Sequence, residues 1–238
     1  SEFRDQLVMT KVVQLEQVGS TSMSENVVVA IDGPAGAGKS TVAKALAHAL
    51  QLKYLDTGAM FRAVTSLVLG SGTDVNDESA VGAVAENMNL VMENGLVVAD
   101  GTDVTTDIRS IAVTSAVSTV AANSRVRANM RDRQRMWSDL NRGGVIEGRD
   151  IGTVVFPDAV LKVYLTASPR VRAERRVAEA GGDIDEIERS IAERDLKDST
   201  RSDSPLQESA DSVVVDTSNR SIEDIVGSIV ELVVERLK

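Results

Sequence analysis

The stretch Ile31-Asp-Gly-Pro-Ala-Gly-Ala-Gly-Lys-Ser40 lies between an apolar run, Val27–Ala30, and a helix-forming segment, Thr41–Leu50. From Gly33 to Ser40 it satisfies Gly-x-x-x-x-Gly-Lys-Ser in the required context, strand before and helix after. Glycines at these positions let backbone N–H groups converge on phosphate oxygens, and the helix N-terminus adds a favourable dipole. Lys39 is expected to reach the β- and γ-phosphates of a nucleoside triphosphate, with the Ser40 hydroxyl on Mg²⁺. The expected ATP contacts are therefore Gly33, Pro34, Ala35, Gly36, Ala37, Gly38, Lys39, Ser40 and Thr41. The dinucleotide fingerprint fails, because Thr41 stands where its third glycine belongs.

Apolar runs at Val27–Ile31, Leu52–Leu55, Val145–Glu147, Val160–Leu165 and Ser212–Asp216 read as strands. Helix-period segments separate them: Ser40–Leu50, a long one ending near Leu140, Pro169–Ala180, and Ile222–Leu237. The last opens with Ser221 and Asp224 spaced as a capping box. This alternation predicts an α/β fold, a P-loop NTPase-type parallel sheet flanked by helices. Residues 88–104, with Asn94-Gly95 favouring a type I′ turn, break it and predict an antiparallel insertion over about 70–120. The charged stretch 180–205 reads as a short mobile lid. The core is then 26–69, 121–179 and 206–238, one unit of 26–238. Residues 1–25 carry no secretory pattern and read as an extension starting with a cloning remnant, expected to be poorly ordered, with Met23 a candidate native start.

With 42% hydrophobic and 26% charged residues, no cysteine, one histidine and a net charge of −10, the chain has little scope for thiolate, zinc or histidine-triad chemistry. An acidic balance also argues against a nucleic-acid or membrane-surface partner. No apolar run approaches the ~20 residues of a membrane span. A cytoplasmic monomer is expected. Nineteen of the 26 basic residues are arginines, whose planar forks suit phosphate. Several fall after strand ends, where ligands bind in parallel sheets: Arg62 in Asp56-Thr-Gly-Ala-Met-Phe-Arg62, Arg149 in Glu147-Gly-Arg-Asp150, then Arg172, Arg176, Arg194 and Arg201. No Asn-Lys-x-Asp guanine reader is present, and His48 reads as solvent-facing or packed. A phosphate acceptor, with a second pKa of about 6, is already anionic near pH 7 and needs no protein base. The residues alone thus predict a P-loop kinase with a phosphate acceptor.

The segments "IDGPAGAGKST", "LDTGAMFR", "VIEGRDIGTVVFPDA", "ERDLKDSTRSDSPL" and "VVVDTS" run in the order found in bacterial cytidylate kinases, which the chain resembles from about Val27 onward. The resemblance implies reversible transfer of the γ-phosphoryl group of MgATP to CMP or dCMP. It implies that Arg62, Arg149 and Arg201 grip the acceptor phosphate and that Asp198, with Arg194, meets the ribose hydroxyls. It implies that Ser118, Arg127 and Asp150 read the cytosine edge, with Thr57 nearby. Arg172 and Arg176, with Arg194, are the implied cations on the ATP phosphates, so Lys39, Arg172, Arg176 and Arg194 are the implied catalytic set. Ser40 stands where many members carry glycine, and Thr57 where many carry serine. Asp32 reads either as a Mg²⁺ ligand through water or as an acceptor for loop amides, Asp216 as a loop residue, and Arg175 as pairing with Glu174 or Glu179. A kinase for another monophosphate such as UMP, or a non-catalytic nucleotide switch, remain the alternatives.

Overall fold

The computed structural model describes residues 26–93 and 95–238. The expected N-terminal extension and Asn94 lie outside the described residues. β1 (Val27–Asp32) leads through the glycine loop into α1 (Lys39–Leu50), and β2 (Tyr54–Asp56) runs into α2 (Thr57–Gly70). The insertion follows as α3 (Glu78–Asn87), β3 (Leu90–Glu93), β4 (Leu96–Ala99), β5 (Thr102–Asp103) and α4 (Ile111–Ala122). α5 (Ser124–Asn141) returns the chain to β6 (Gly143–Glu147) and β7 (Leu161–Thr166). Then come α6 (Pro169–Ala180), α7 (Ile184–Thr200), β8 (Val213–Asp216) and α8 (Ile222–Arg236).

Five strands form the main sheet in the order β2-β6-β1-β7-β8, every neighbouring pair parallel. Both faces of β1 are buried, and its alternation divides the core. Val28 and Ala30 join one apolar cluster, while Val29 and Ile31 join another with Leu46 of α1 and Ile229 of α8. This is why the strands read as unbroken apolar runs. β3, β4 and β5 form the antiparallel sheet, with Glu93 opposite Leu96 across a two-residue connection and Gly95 at φ 84°. The insertion has no core of its own. Val81, Ala85, Val97, Ala99 and Ile108 share one cluster with Val28 and Ile146 of the main sheet.

The charged stretch expected as a lid is mostly α7, capped by the Asp183 carboxylate, which accepts from the Asp185 and Glu186 amides. Its composition of Glu, Arg, Lys, Ile and Leu supports helix. In α7 only Ile191 and Asp198 are buried. No helix among the described residues is long and apolar enough to cross a membrane.

Strand register decides where chemistry collects. Asp56 and Ile31 both pair with Glu147, and Asp32 pairs with Tyr164. Three carboxylates, Asp32, Asp56 and Glu147, therefore stand at the C-terminal edge of the parallel sheet, around the start of α1.

Candidate active site

The glycine loop is shaped by its neighbours. Gly33, Gly36 and Gly38 take φ of 147°, 76° and 82°. A Cβ on Gly33 would lie 2.0 Å from the Leu165 carbonyl oxygen of β7, and one on Gly36 would meet the Arg172 Cβ at 3.1 Å. Both positions therefore require glycine. α1 begins at Lys39 from Gly38 with no side-chain cap. The other seven described α-helices are capped by Asp56, Asp77, Ser110, Asn123, Ser168, Asp183 and Ser221. Among the described α-helices, the one start without a side-chain cap is the one aimed into the main cleft, where an anion would serve. Lys39 folds back, its Nζ donating to the Pro34 carbonyl at 2.7 Å. Burial and the adjacent Arg149 charge depress the Lys39 ammonium to about pKa 7.

The cleft in front of this loop has a volume of about 1090 Å³. Of the residues singled out from sequence, Ala35, Gly36, Gly38, Lys39, Ser40, Thr41, Arg62, Ser118, Arg149, Arg176 and Arg194 line it. Arg62 is held by donating to the Ile108 carbonyl (2.8 Å) and the Thr114 hydroxyl (2.9 Å) of the insertion. Arg194 is half-buried, with its Nε out of water and unpartnered. Burial, then Arg149, lowers its pKa to about 10, and burial, then Arg176, lowers that of Arg62. Crowded guanidinium groups that depress one another around an open volume are the electrostatic counterpart of an anion site.

Arg127, Asp150, Asp198, Arg201 and Thr57 do not line the cleft; they form a buried layer beside it. Arg127 pairs with Asp150, donates to the Ala121 carbonyl at 3.1 Å, and lies 5.4 Å over the Phe61 ring. Arg201 approaches Asp150 at 3.7 Å and donates to the Ser204 carbonyl at 2.7 Å. Burial, then Arg127, lowers the Arg201 pKa to about 10. Arg149 donates to Asp198 at 3.0 Å. The Thr57 hydroxyl donates to the Glu147 carbonyl at 2.6 Å, fixing the end of β6.

Asp32 accepts from the Ile151 (2.9 Å) and Gly152 (2.7 Å) amides, the loop-amide reading of the two raised above. Burial outweighs those bonds and raises its carboxyl to about pKa 6. Asp216, read from sequence as a loop residue, is instead the last residue of β8, where it pairs with Thr166 and accepts from the Ser218 amide; His48 is exposed. Arg175 corrects the sequence reading. It pairs with neither Glu174 nor Glu179 but donates to the Thr217 hydroxyl (2.9 Å) and carbonyl (2.6 Å), and Thr217 in turn donates to the Ala37 carbonyl of the loop.

Four participants escaped the sequence reading: Glu147, Arg109, Lys197 and Asp195. Arg109 and Lys197 add cations to the cleft wall. Glu147 is buried and takes a hydrogen bond from Tyr54; its carboxyl is raised first by burial, then by Asp56. Its place after an apolar strand, opposite Asp56, was the available signal. Among the described residues no group of three or more His, Asp and Glu side chains could hold a metal alone. The donors at the loop are instead oxygen atoms of Ser40, Glu147 and Asp56, which suit a hard cation completed by phosphate oxygens.

A sequence model of the cytidylate kinase family matches residues 29–235. The chain belongs to that family. It is 44% identical over 216 residues to the cytidylate kinase of Streptomyces avermitilis, covering 88% of this chain and 94% of that one. It is 46% identical over 242 residues to the bifunctional pantoate ligase/cytidylate kinase of Trichormus variabilis, covering 93% of this chain. The match spans 45% of that longer protein, a little under half its length. An uncharacterized protein from Eubacterium ventriosum shares the fold at a TM-score of 0.51 and 11% identity, over 87% of this chain and 98% of that one.

Proposed function

We propose that the chain reversibly transfers the γ-phosphoryl group of ATP to CMP, and to dCMP, giving ADP and the corresponding diphosphate. One observation carries this reading: a glycine-loop helix start without a side-chain cap and a crowd of guanidinium groups line the same cleft. Each side suits one phosphate chain. The loop amides and Lys39 hold the donor, while Arg62, Arg149 and Arg201 hold the acceptor phosphate. Arg194 and Arg176, with Arg172 behind them, supply positive charge to the transferring group. The acceptor oxygen is anionic at neutral pH, so orientation and charge neutralisation replace a protein base. Mg²⁺ fits the oxygen donors at the loop: Ser40 would hold it, with Glu147 and Asp56 close by, and when bound it would neutralise phosphate charge.

Arg127, Asp150 and Ser118 suit the donor and acceptor edges of cytosine, and Asp198 with Arg194 suits the ribose hydroxyls. In the structure Arg127 pairs with Asp150 and Asp198 with Arg149, while the Nε atoms of Arg127 and Arg194 have no hydrogen-bond partner. The proposed protein is a monomer acting in the cytoplasm, with no nucleic-acid or membrane partner. ADP release measured across CMP, dCMP, UMP and AMP tests the reading. Turnover on CMP and dCMP is expected. Turnover on UMP or AMP with none on CMP overturns the base assignment.

A further inference from the structure

Asp195 occupies a position that none of the roles above explains. It lies in α7, the helix expected as lid, yet its Oδ1 accepts the backbone N–H of Ala35 in the glycine loop at 3.2 Å. Its Oδ2 pairs with Arg172 of α6. That same guanidinium donates to the Ala35 carbonyl at 3.0 Å and to the Ala167 carbonyl, just after β7, at 3.1 Å. One residue of the phosphate loop is thus gripped at both its N–H and its C=O by an acid–base pair from two successive helices. The pair is largely out of water, the Arg172 and Asp195 side chains being 8% and 20% exposed. The Asp195 charge also reaches β7, where burial, then this carboxylate, holds the Tyr164 phenol above its ordinary range.

Arg172 is therefore placed differently from its neighbours on α6. Arg175 and Arg176 line the cleft, while Arg172 is buried against the loop. On α7, Asp195 faces the loop between two cleft-lining cations, Arg194 and Lys197. Locking Asp195 to Ala35 locks the rotation of α7 about its axis, and with it the aim of those cations.

We propose that Asp195 is a positioning residue: with Arg172 it clamps α7 to the donor loop, so that the loop's shape and the placement of Arg194 and Lys197 are set together. The proposal rests on the kinase reading for its kinetic readout but has a binding readout of its own. A clamp on the donor side acts first on ATP and phosphoryl transfer, and reaches CMP only through α7, which carries the proposed ribose contacts Arg194 and Asp198. A general loss of folding lowers the active fraction, which reduces kcat and moves neither KM.

The test compares wild type with Asp195→Ala, Asp195→Asn, Arg172→Met and the double variant Arg172→Met/Asp195→Ala. Both KM values and kcat are measured, together with calorimetric affinity for a non-hydrolysable ATP analogue. Removing one partner of a buried pair strands the other, so the double variant and Asp195→Asn guard against a variant that fails to fold. The clamp predicts a KM for ATP raised about tenfold and a lowered kcat in Asp195→Ala, with KM for CMP raised by less than KM for ATP. Asp195→Asn, which still accepts the Ala35 N–H, is expected to fall between Asp195→Ala and wild type. The double variant is expected to lose no more than the worse single variant. ATP-analogue affinity unchanged in every variant, or losses that multiply in the double variant, would overturn the proposal. A wild type that binds the analogue but does not turn over CMP would refute the kinase reading, and the analogue affinities would still decide the clamp.

Discussion

On the proposed donor side of the cleft the groups offered to phosphate are backbone amides, held by glycines whose conformation the neighbouring strand dictates. On the proposed acceptor and lid side they are guanidinium groups on helices and the loops beside them, held by carbonyls and carboxylates that neutralise part of their charge. Gly33 cannot carry a side chain without striking the Leu165 carbonyl of β7. Gly181, at the start of the lid stretch, has φ 71° but nothing within 4 Å of an added Cβ. The first region is shaped before any nucleotide arrives. The second is a set of charges placed by side-chain hydrogen bonds, Arg62 on the Ile108 carbonyl and Arg149 on Asp198 among them. Such a division suits phosphoryl transfer, in which backbone amides cradle the leaving diphosphate while guanidinium charges neutralise the moving group.

The largest expected effect tests whether the donor side depends on one side chain as well as on backbone. Lys39→Ala should lower kcat by roughly 10³-fold while CMP affinity stays unchanged, read by ADP release and by CMP titration. Equal losses of CMP binding would break the division between the two sides.

The glycine contrast comes next. Gly33→Ala adds a steric clash to an unfavourable φ and should destabilise by roughly 4 kcal/mol in urea unfolding. Gly181→Ala carries only the conformational strain and should lose about 2 kcal/mol. Equal losses would mean that the loop is no more constrained than the lid.

Asp32 sharpens the same point through pH. Its folded pKa of about 6 lies above the ordinary 3.8, so the folded protein binds the extra proton between those values. The associated stability is fully present below pH 3.8 and is lost as pH rises through 6. A shift of this size corresponds to about 3 kcal/mol, and Asp32→Asn should remove that slope from urea unfolding measured between pH 4 and 7. An unchanged slope in the variant would assign the dependence elsewhere.

The smallest effect belongs to the acceptor side. Arg201→Ala should raise KM for CMP by roughly 30-fold through loss of a charge-assisted bond, with KM for ATP unmoved. An acceptor without a phosphate would leave the variant's KM close to wild type.

The same contrast explains what could be read from the chain. The glycine loop was legible in residue order because its function resides in backbone conformation, which Gly33, Gly36 and Gly38 announce directly. The sheet and its helices were legible because both faces of strands such as β1 are apolar. The lid was harder, since nearly every residue in Glu193–Thr200 is polar, and helical periodicity carries no signal when polar residues lie on all faces. Asp195 against the loop and Lys197 into the cleft are set by the packing of α7 on α6. Arg172, Arg175 and Arg176 posed a similar problem. Spaced i, i+3 and i+4, they share one stripe of α6, and only tertiary structure shows Arg172 under the loop, Arg175 on Thr217 and Arg176 at the cleft. Glu147 was quoted within a motif but given no role, because a single carboxylate at a strand end reads equally as a cap or a site residue.

The account stands on both nucleotides occupying one cleft, so that the phosphoryl group passes directly between them. ATP made chiral at its γ-phosphorus with oxygen isotopes, turned over with CMP, measures this most directly. A single direct transfer predicts inversion of configuration in the product, whereas retention would require a phosphorylated protein intermediate and would contradict it.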